Sequence, residues 1–374
     1  MTTKTDWIAV ARELGPAFAE RCATHDADDS FVAENYAALK ERGLFTAGVP
    51  GELGGGDASH AELCAVVREL ARYCGSTALA FSMHTHNVAT QALSYRAGNK
   101  APEPLLRRIA AEKLVLATSG GSDWLNGSGK LEKVEGGYRM NGRKVFASGV
   151  SAATLFTTLG IYDDPEKGPL VCHFPLPLPT DGFKLLDTWQ VLGMRGTGST
   201  DVELKDVFIP DAAMGGLKRE PGKWHPFMQL VVLSAMPIVY AAYLGVAESA
   251  RDIALGLAKK KKDDPHVAYL VGEMDNLLLT AQVVHASMVE LTKTAKPSPE
   301  STSTMLARRT IIAQALLQMA TKALDVGGGS SFYNASHLER HFRDLQAARY
   351  HPLQEKAQHY LSGRLALGFD IDAQ

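Results

Sequence analysis

The sequence predicts an α+β multidomain protein, with an N-terminal α-helical domain over residues 1–113, a middle β-barrel domain over 114–213 and a C-terminal four-helix bundle over 214–374. Three observations carry this prediction. Apolar residues recur at three- and four-residue spacing as far as about Ala110, short alternating runs take over from about Leu114 to Pro210, and helical spacing then returns in long stretches. With 374 residues, 45% hydrophobic and 21% charged, the chain can bury a large shared core.

In the first part, Phe31-Val-Ala-Glu-Asn-Tyr-Ala-Ala-Leu-Lys40 and Ala61-Glu-Leu-Cys-Ala-Val-Val-Arg-Glu-Leu70 have the helical period. Gly48-Val-Pro-Gly-Glu-Leu-Gly-Gly-Gly-Asp57 breaks them apart, since proline and clustered glycines suit no helix interior. In the second part the runs are Leu131-Glu-Lys-Val, Tyr138-Arg-Met, Arg143-Lys-Val-Phe, Thr154-Leu-Phe-Thr-Thr-Leu, Leu170-Val-Cys-His-Phe and Val202-Glu-Leu-Lys-Asp-Val-Phe. Gly-Gly, Asn-Gly and Pro-Leu-Pro turns between them suggest antiparallel strands. Gly215 to Pro226 reads as a linker. Phe227–Lys262, Ala268–Lys293, Ser301–Val326 and Tyr350–Leu367 then supply four helices.

Phe227 to Ala247 has no charged residue and is long enough to span a bilayer, but Gln229, Ser234 and Pro237 interrupt it, so a buried bundle helix is expected. Lys plus Arg (39) nearly balances Asp plus Glu (41), which argues against nucleic acid or an anionic membrane as partner. Cys22, Cys64, Cys74 and Cys172 are widely spaced and read as reduced packing residues; no metal site is expected. The first residues lack the apolar core of a signal peptide, so a cytoplasmic address is the expectation.

Several motifs recur in a fixed order. They are Gly48-Val-Pro-Gly-Glu-Leu-Gly-Gly, Gly120-Gly-Ser-Asp123, Gly137-Tyr-Arg-Met-Asn-Gly-Arg-Lys144, Leu192-Gly-Met-Arg-Gly-Thr-Gly-Ser199, Asp325-Val-Gly-Gly-Gly329, and Glu339-Arg-His-Phe-Arg-Asp344 followed by Tyr350-His-Pro352. Together they resemble the acyl-CoA dehydrogenase superfamily, whose order of helices, β-barrel and helices matches the pattern above. The resemblance implies flavin-binding roles for Thr118, Gly121 and Ser122 in the first glycine loop, whose bland alternative is a plain turn. It sets Phe146 along the isoalloxazine and Ser148 near flavin N5. It also implies pyrophosphate contacts from Arg308, Arg309, Gly327, Gly328 and Gly329 across a subunit boundary in a homotetramer. Where the family has Arg-x-x-Phe-Gly, this chain has Lys259-Lys-Lys-Lys-Asp-Asp-Pro-His266. Arg340, Arg343 and Asp344 read as an ion-pair cluster positioning the loop that follows.

One departure bears on the chemistry. Family dehydrogenases remove the acyl α-proton with a glutamate placed either in the C-terminal loop or on the first long helix of the bundle; here those positions read His351 and Gln229. The His-Pro ending resembles the flavin monooxygenases of this superfamily, in which it is joined at the pocket by a histidine from the region of Phe81-Ser-Met-His-Thr-His-Asn87. At most one of His84 and His86 should face the site, and His84 is taken with His351 and Ser148 as catalytic. The resemblance thus implies a monooxygenase-like flavin oxidoreductase acting on a small organic substrate, with FAD or diffusible FMN as cofactor. No Gly-x-Gly-x-x-Gly follows a strand, so a separate NAD(P)H-flavin reductase is implied as partner. Two readings stay open beside it: an acyl-CoA dehydrogenase whose base is Glu248, Glu273 or Glu355, and a catalytically silent flavin-binding protein.

Overall fold

Caps fix where the first helices begin. Asp6 accepts from the N–H groups of Ile8 (3.1 Å) and Ala9 (3.0 Å) and starts α1, Trp7–Asp28. After α2, Ala33–Glu41, a capping box between Ser59 and Glu62 starts α3, His60–Tyr73. Helices α4, Gly75–Arg96, and α5, Glu103–Glu112, complete the N-terminal part. The structure, a computed structural model, describes residues 5–119, 121 and 123–372.

Among the described residues eight strands follow: β1 Leu116–Thr118, β2 Lys130–Val134, β3 Gly137–Lys144, β4 Leu155–Asp164, β5 Gly168–Pro177, β6 Phe183–Leu185, β7 Val202–Pro210 and β8 Lys218–Arg219. They form one sheet in the order β6-β7-β3-β2-β4-β5-β8, with β1 also on β4. Among the described residues this pairing runs from β6 to β8. It is not wholly antiparallel, because β1 and β2 both run parallel to β4. They share one edge of β4, β1 along Leu155–Thr157 and β2 along Ile161–Tyr162.

Asn141-Gly142, predicted as a hairpin turn, instead lies inside β3 at a register shift between Met140 and Gly142. A side chain at Gly142 would meet the Gly129 backbone at 2.7 Å, while the Asn141 side chain accepts from the Asp206 N–H at 2.8 Å. Strands on both sides hold this dipeptide extended.

The C-terminal part has α6 Pro226–Ala258, α7 Pro265–Thr294, α8 Pro299–Gly327, α9 Leu338–Gln346 and α10 Glu355–Ala366. The last of the predicted long helices thus begins at Glu355, not Tyr350, because Pro352 disfavours helical backbone at the residue before it. His351 is left on a loop. One apolar core joins α1, α3 and α4 to α6, α7 and α8, and a second fills the sheet. Among the described residues α6 is the one helix long and apolar enough to cross a membrane, and 89% of its most apolar window is buried inside the protein. Pro237 cannot donate to the Leu233 carbonyl, and the Thr292 hydroxyl of α7 takes that place at 2.6 Å. All four cysteines are free and buried.

Candidate active site

His351 is held from three sides. The guanidinium of Arg309, fully buried on α8, donates to the carbonyls of Ala348 (3.0 Å), Arg349 (2.9 Å) and His351 (2.7 Å). From α6, the Tyr240 hydroxyl donates to the Ala348 carbonyl at 2.8 Å, and the Tyr243 hydroxyl meets His351 Nε2 at 2.6 Å. The three rings lie edge to face or tilted, 5.4 to 6.3 Å apart. Burial pulls the His351 pKa down to about 3, with Arg309 and His86 adding to the effect, so the imidazole is neutral at any physiological pH.

The two histidines of α4 have different surroundings. His84 Nε2 donates to the Phe45 carbonyl at 2.7 Å and its Nδ1 accepts the Leu116 N–H at 3.0 Å. Both ring nitrogens bond backbone groups, tying α4 to β1. His86 has a buried Nδ1 without a protein partner, and it lies within electrostatic reach of His351. Thr90, one turn on, touches Ser234 of α6, which shows that His86 belongs to the face of α4 turned toward that helix. Burial lowers the pKa of each to about 4.

The opposite wall comes from the sheet. The loop after Thr118 reaches the His351 segment directly: a Cβ at Gly121 would stand 2.6 Å from Cδ of Pro352, so only glycine allows the two loops to touch. Ser122, between them and Asp123, lies outside the described residues. The loop's far side is anchored by a buried ion pair, Lys144 with Asp123 at 2.8 Å, with Ser128 bonded to both. Phe146 holds a left-handed backbone (φ 57°) and leaves its ring 53% exposed, edge-on to Trp189 at 6.2 Å. Two residues on, Ser148 Oγ lies 2.7 Å from Ser199 Oγ, which lies 2.7 Å from Thr197 Oγ1; Thr197 in turn donates to the Met194 carbonyl at 2.8 Å. A cleft of about 320 Å³ opens beside this region, lined by Phe31, Ser151 and Trp189 and by the carboxylates Asp28, Asp29 and Asp187.

Arg343 and Asp344 join this wall to the His351 side. Arg343 grips Asp26 of α1 through both guanidinium ends (2.9 and 2.5 Å) and Glu339 at 2.7 Å, while Asp344 accepts the Met194 N–H. Burial raises the Asp344 pKa to about 6, opposed by that N–H.

Other expected groups do not gather here within one chain. Arg308 donates to the Ser287 carbonyl at 2.9 Å, and Arg309 is spent on the His351 loop. Gly327 closes the same helix 19 residues beyond Arg308, which at about 1.5 Å per residue separates them by roughly 28 Å. Gly328 and Gly329 continue past that end, so these residues form no single phosphate cradle in one protomer. Glu248 is tied to Arg68 and to Gln282 (2.8 Å), Glu273 to Lys322 (2.8 Å), and Gln229 is buried in the first turn of α6. The glycine contact at 121, the outward Phe146 ring, the Ser148 hydroxyl and the unpartnered His86 nitrogen suit a flat ring system with a polar edge.

That architecture has a family. The acyl-CoA dehydrogenase N-terminal domain matches residues 9–112 and the acyl-CoA dehydrogenase C-terminal domain matches residues 238–355, and the chain belongs to this family. It is 26% identical to a pigment production hydroxylase of a Rhodococcus species, over 93% of this chain and 92% of that one. It is 27% identical to the putative acyl-CoA dehydrogenase YdbM of Bacillus subtilis, over 94% of each. Among solved structures, KijD3 in complex with FMN and dTDP-3-amino-2,3,6-trideoxy-4-keto-3-methyl-D-glucose superposes with a TM-score of 0.88, 24% identity and coverage of 100% of this chain and 96% of that one. FMN-bound TdsC from Paenibacillus sp. A11-2 gives a TM-score of 0.84 at 19% identity over 99% of each chain.

Proposed function

We propose that this chain is the oxygenase component of a two-component flavin monooxygenase that takes reduced FMN from a separate NAD(P)H-flavin reductase. The observation that carries this is the neutral imidazole of His351, with a second neutral histidine, His86, near it. The His351 ring meets the Tyr243 hydroxyl, and Arg309 and His86 act on it electrostatically. A carboxylate base is what α,β-dehydrogenation of a thioester needs, and the glutamates that could serve are engaged elsewhere or, for Glu355, lie on the first residue of α10.

Bound flavin would supply activation of O₂. Phe146 would pack on its ring, Thr118 and Gly121 would line its edge, and Ser148 would meet N5. His351, oriented by Tyr243, holds the acceptor in place as a neutral ring, and the Arg309 clamp keeps the ring from swinging out. FMN is taken as the flavin because it is what the KijD3 and TdsC complexes contain. The exposed apolar residues Tyr269, Leu279 and Val283 along α7 support assembly into a homotetramer. The division at residues 113 and 213 and a cytoplasmic site of action belong to the same reading.

The test is to supply reduced FMN through a reductase and follow ¹⁸O₂ incorporation across a panel of aromatic, sulfur and amino-sugar acceptors. Label in product and no bleaching of bound oxidised flavin by acyl-CoAs are expected. Anaerobic bleaching by any acyl-CoA overturns the proposal in favour of dehydrogenation.

A further inference from the structure

The hydroxyls of Ser148, Ser199 and Thr197 form a string with one proton each and three contacts to make. Thr197 Oγ1 lies 2.8 Å from the Met194 carbonyl, which can only accept, so Thr197 donates there. Its proton being used, Thr197 can only accept from Ser199 at 2.7 Å. Ser199 then has no proton left for Ser148 and accepts from it at 2.7 Å. This is the single assignment in which all three contacts are hydrogen bonds. Thr197 and Ser199 are buried, at 0% and 4% exposure, so no solvent competes to reverse the order, and only Ser148 is partly open.

We infer that Ser199 and Thr197 are positioning residues that turn the Ser148 proton inward and leave its oxygen lone pairs facing the site. The inference rests on the flavin reading above and deepens it. An acceptor-only hydroxyl suits a ring nitrogen that bears hydrogen, as N5 of reduced flavin does, and opposes the bare lone pair of oxidised N5. Binding oxidised flavin through this contact requires the Ser148 hydroxyl to rotate and forfeit its bond to Ser199. The site therefore discriminates between redox states by the direction of one proton.

The experiment measures dissociation constants of oxidised FMN, in air, and of dithionite-reduced FMN, under argon, for the wild type and four variants. The wild type is expected to favour the reduced form. Ser199→Ala and Thr197→Val each release the Ser148 proton, and the reduced-over-oxidised preference should shrink by about threefold to tenfold, the worth of one net hydrogen bond. Thr197→Ser keeps both the donor and the acceptor and should retain the wild-type ratio. Ser148→Ala should lose the ratio whatever stands behind it. A ratio unchanged in Ser199→Ala while Ser148→Ala alters it overturns the inference, as does a wild type that binds both forms equally. If the wild type binds neither FMN nor FAD in either state, the flavin site itself falls, an outcome distinct from binding without preference.

Discussion

The two walls of the site are built from opposite materials. The helical wall places neutral rings against a buried cation, and Arg309 there spends its charge on three carbonyls of the loop that carries His351. The sheet wall has a half-exposed aromatic on left-handed backbone and a row of hydroxyls with one open end. The difference teaches that protonation state and proton direction are set separately: low dielectric fixes the first on the helical side, and a chain of single-proton donors fixes the second on the sheet side.

The largest expected effect breaks the helical wall. His351→Ala should lower turnover by about 10²–10⁴-fold, with unchanged circular dichroism. Arg309→Met should give a comparable loss by freeing the loop although no reacting group is removed; near wild-type turnover would show that the clamp is dispensable.

The next test separates the α4 histidines. His84→Ala should cost about 2–4 kcal/mol in urea unfolding, since it leaves two buried backbone groups unpaired and a void beside Phe45. His86→Ala should cost under about 1 kcal/mol yet lower turnover by about 10²-fold. Equal stability losses would erase the distinction drawn between them.

Acid should act mainly on the helical side. The folded-state pKa values of His84, His86, His285 and His341 are lowered to about 4 and that of His351 to about 3, mainly by burial. Below the ordinary histidine pKa of about 6.5 the unfolded chain binds protons that the folded one refuses, so the melting temperature should fall steadily from pH 6.5 toward 4. Asp344 works in the opposite sense: raised to about 6 from 3.8, it contributes stability below pH 4 that is lost as pH rises through 6. A melting temperature flat between pH 6.5 and 4.5 would contradict the neutral assignment.

The smallest effect belongs to the sheet wall. Phe146→Gly removes a side chain from left-handed backbone and should raise stability by about 0.5–1 kcal/mol while weakening flavin binding. A loss of stability would mean that the ring's contact with Trp189 outweighs the backbone cost.

Much of this was legible in the chain, and the rest has physical reasons for being hidden. His351 announced itself because Pro352 follows it and Arg-x-x-Arg-Asp precedes it. Arg309 did not, since its carbonyl partners lie about 40 residues away in sequence. His84 and His86 differ only in how α4 is rotated against α6, and no residue type encodes that rotation. Asn141-Gly142 has the composition of a hairpin turn, but β2 and β7 on either side outweigh that local preference. The Ser148 string was invisible because Thr197 and Ser199 arrive from a loop some 50 residues on.

Helix α6 carries a cost at the ribosome. Helices α3 and α4 precede it in the chain and can cover one flank as soon as it emerges. Helices α7 and α8, which cover the other, end 69 residues after Ala258. At translation speeds of about 5–20 residues per second that flank waits bare for roughly 3–14 s. During biosynthesis it is the stretch that chaperones and the membrane-insertion machinery compete for, and slowing synthesis downstream of Ala258 would tip that competition.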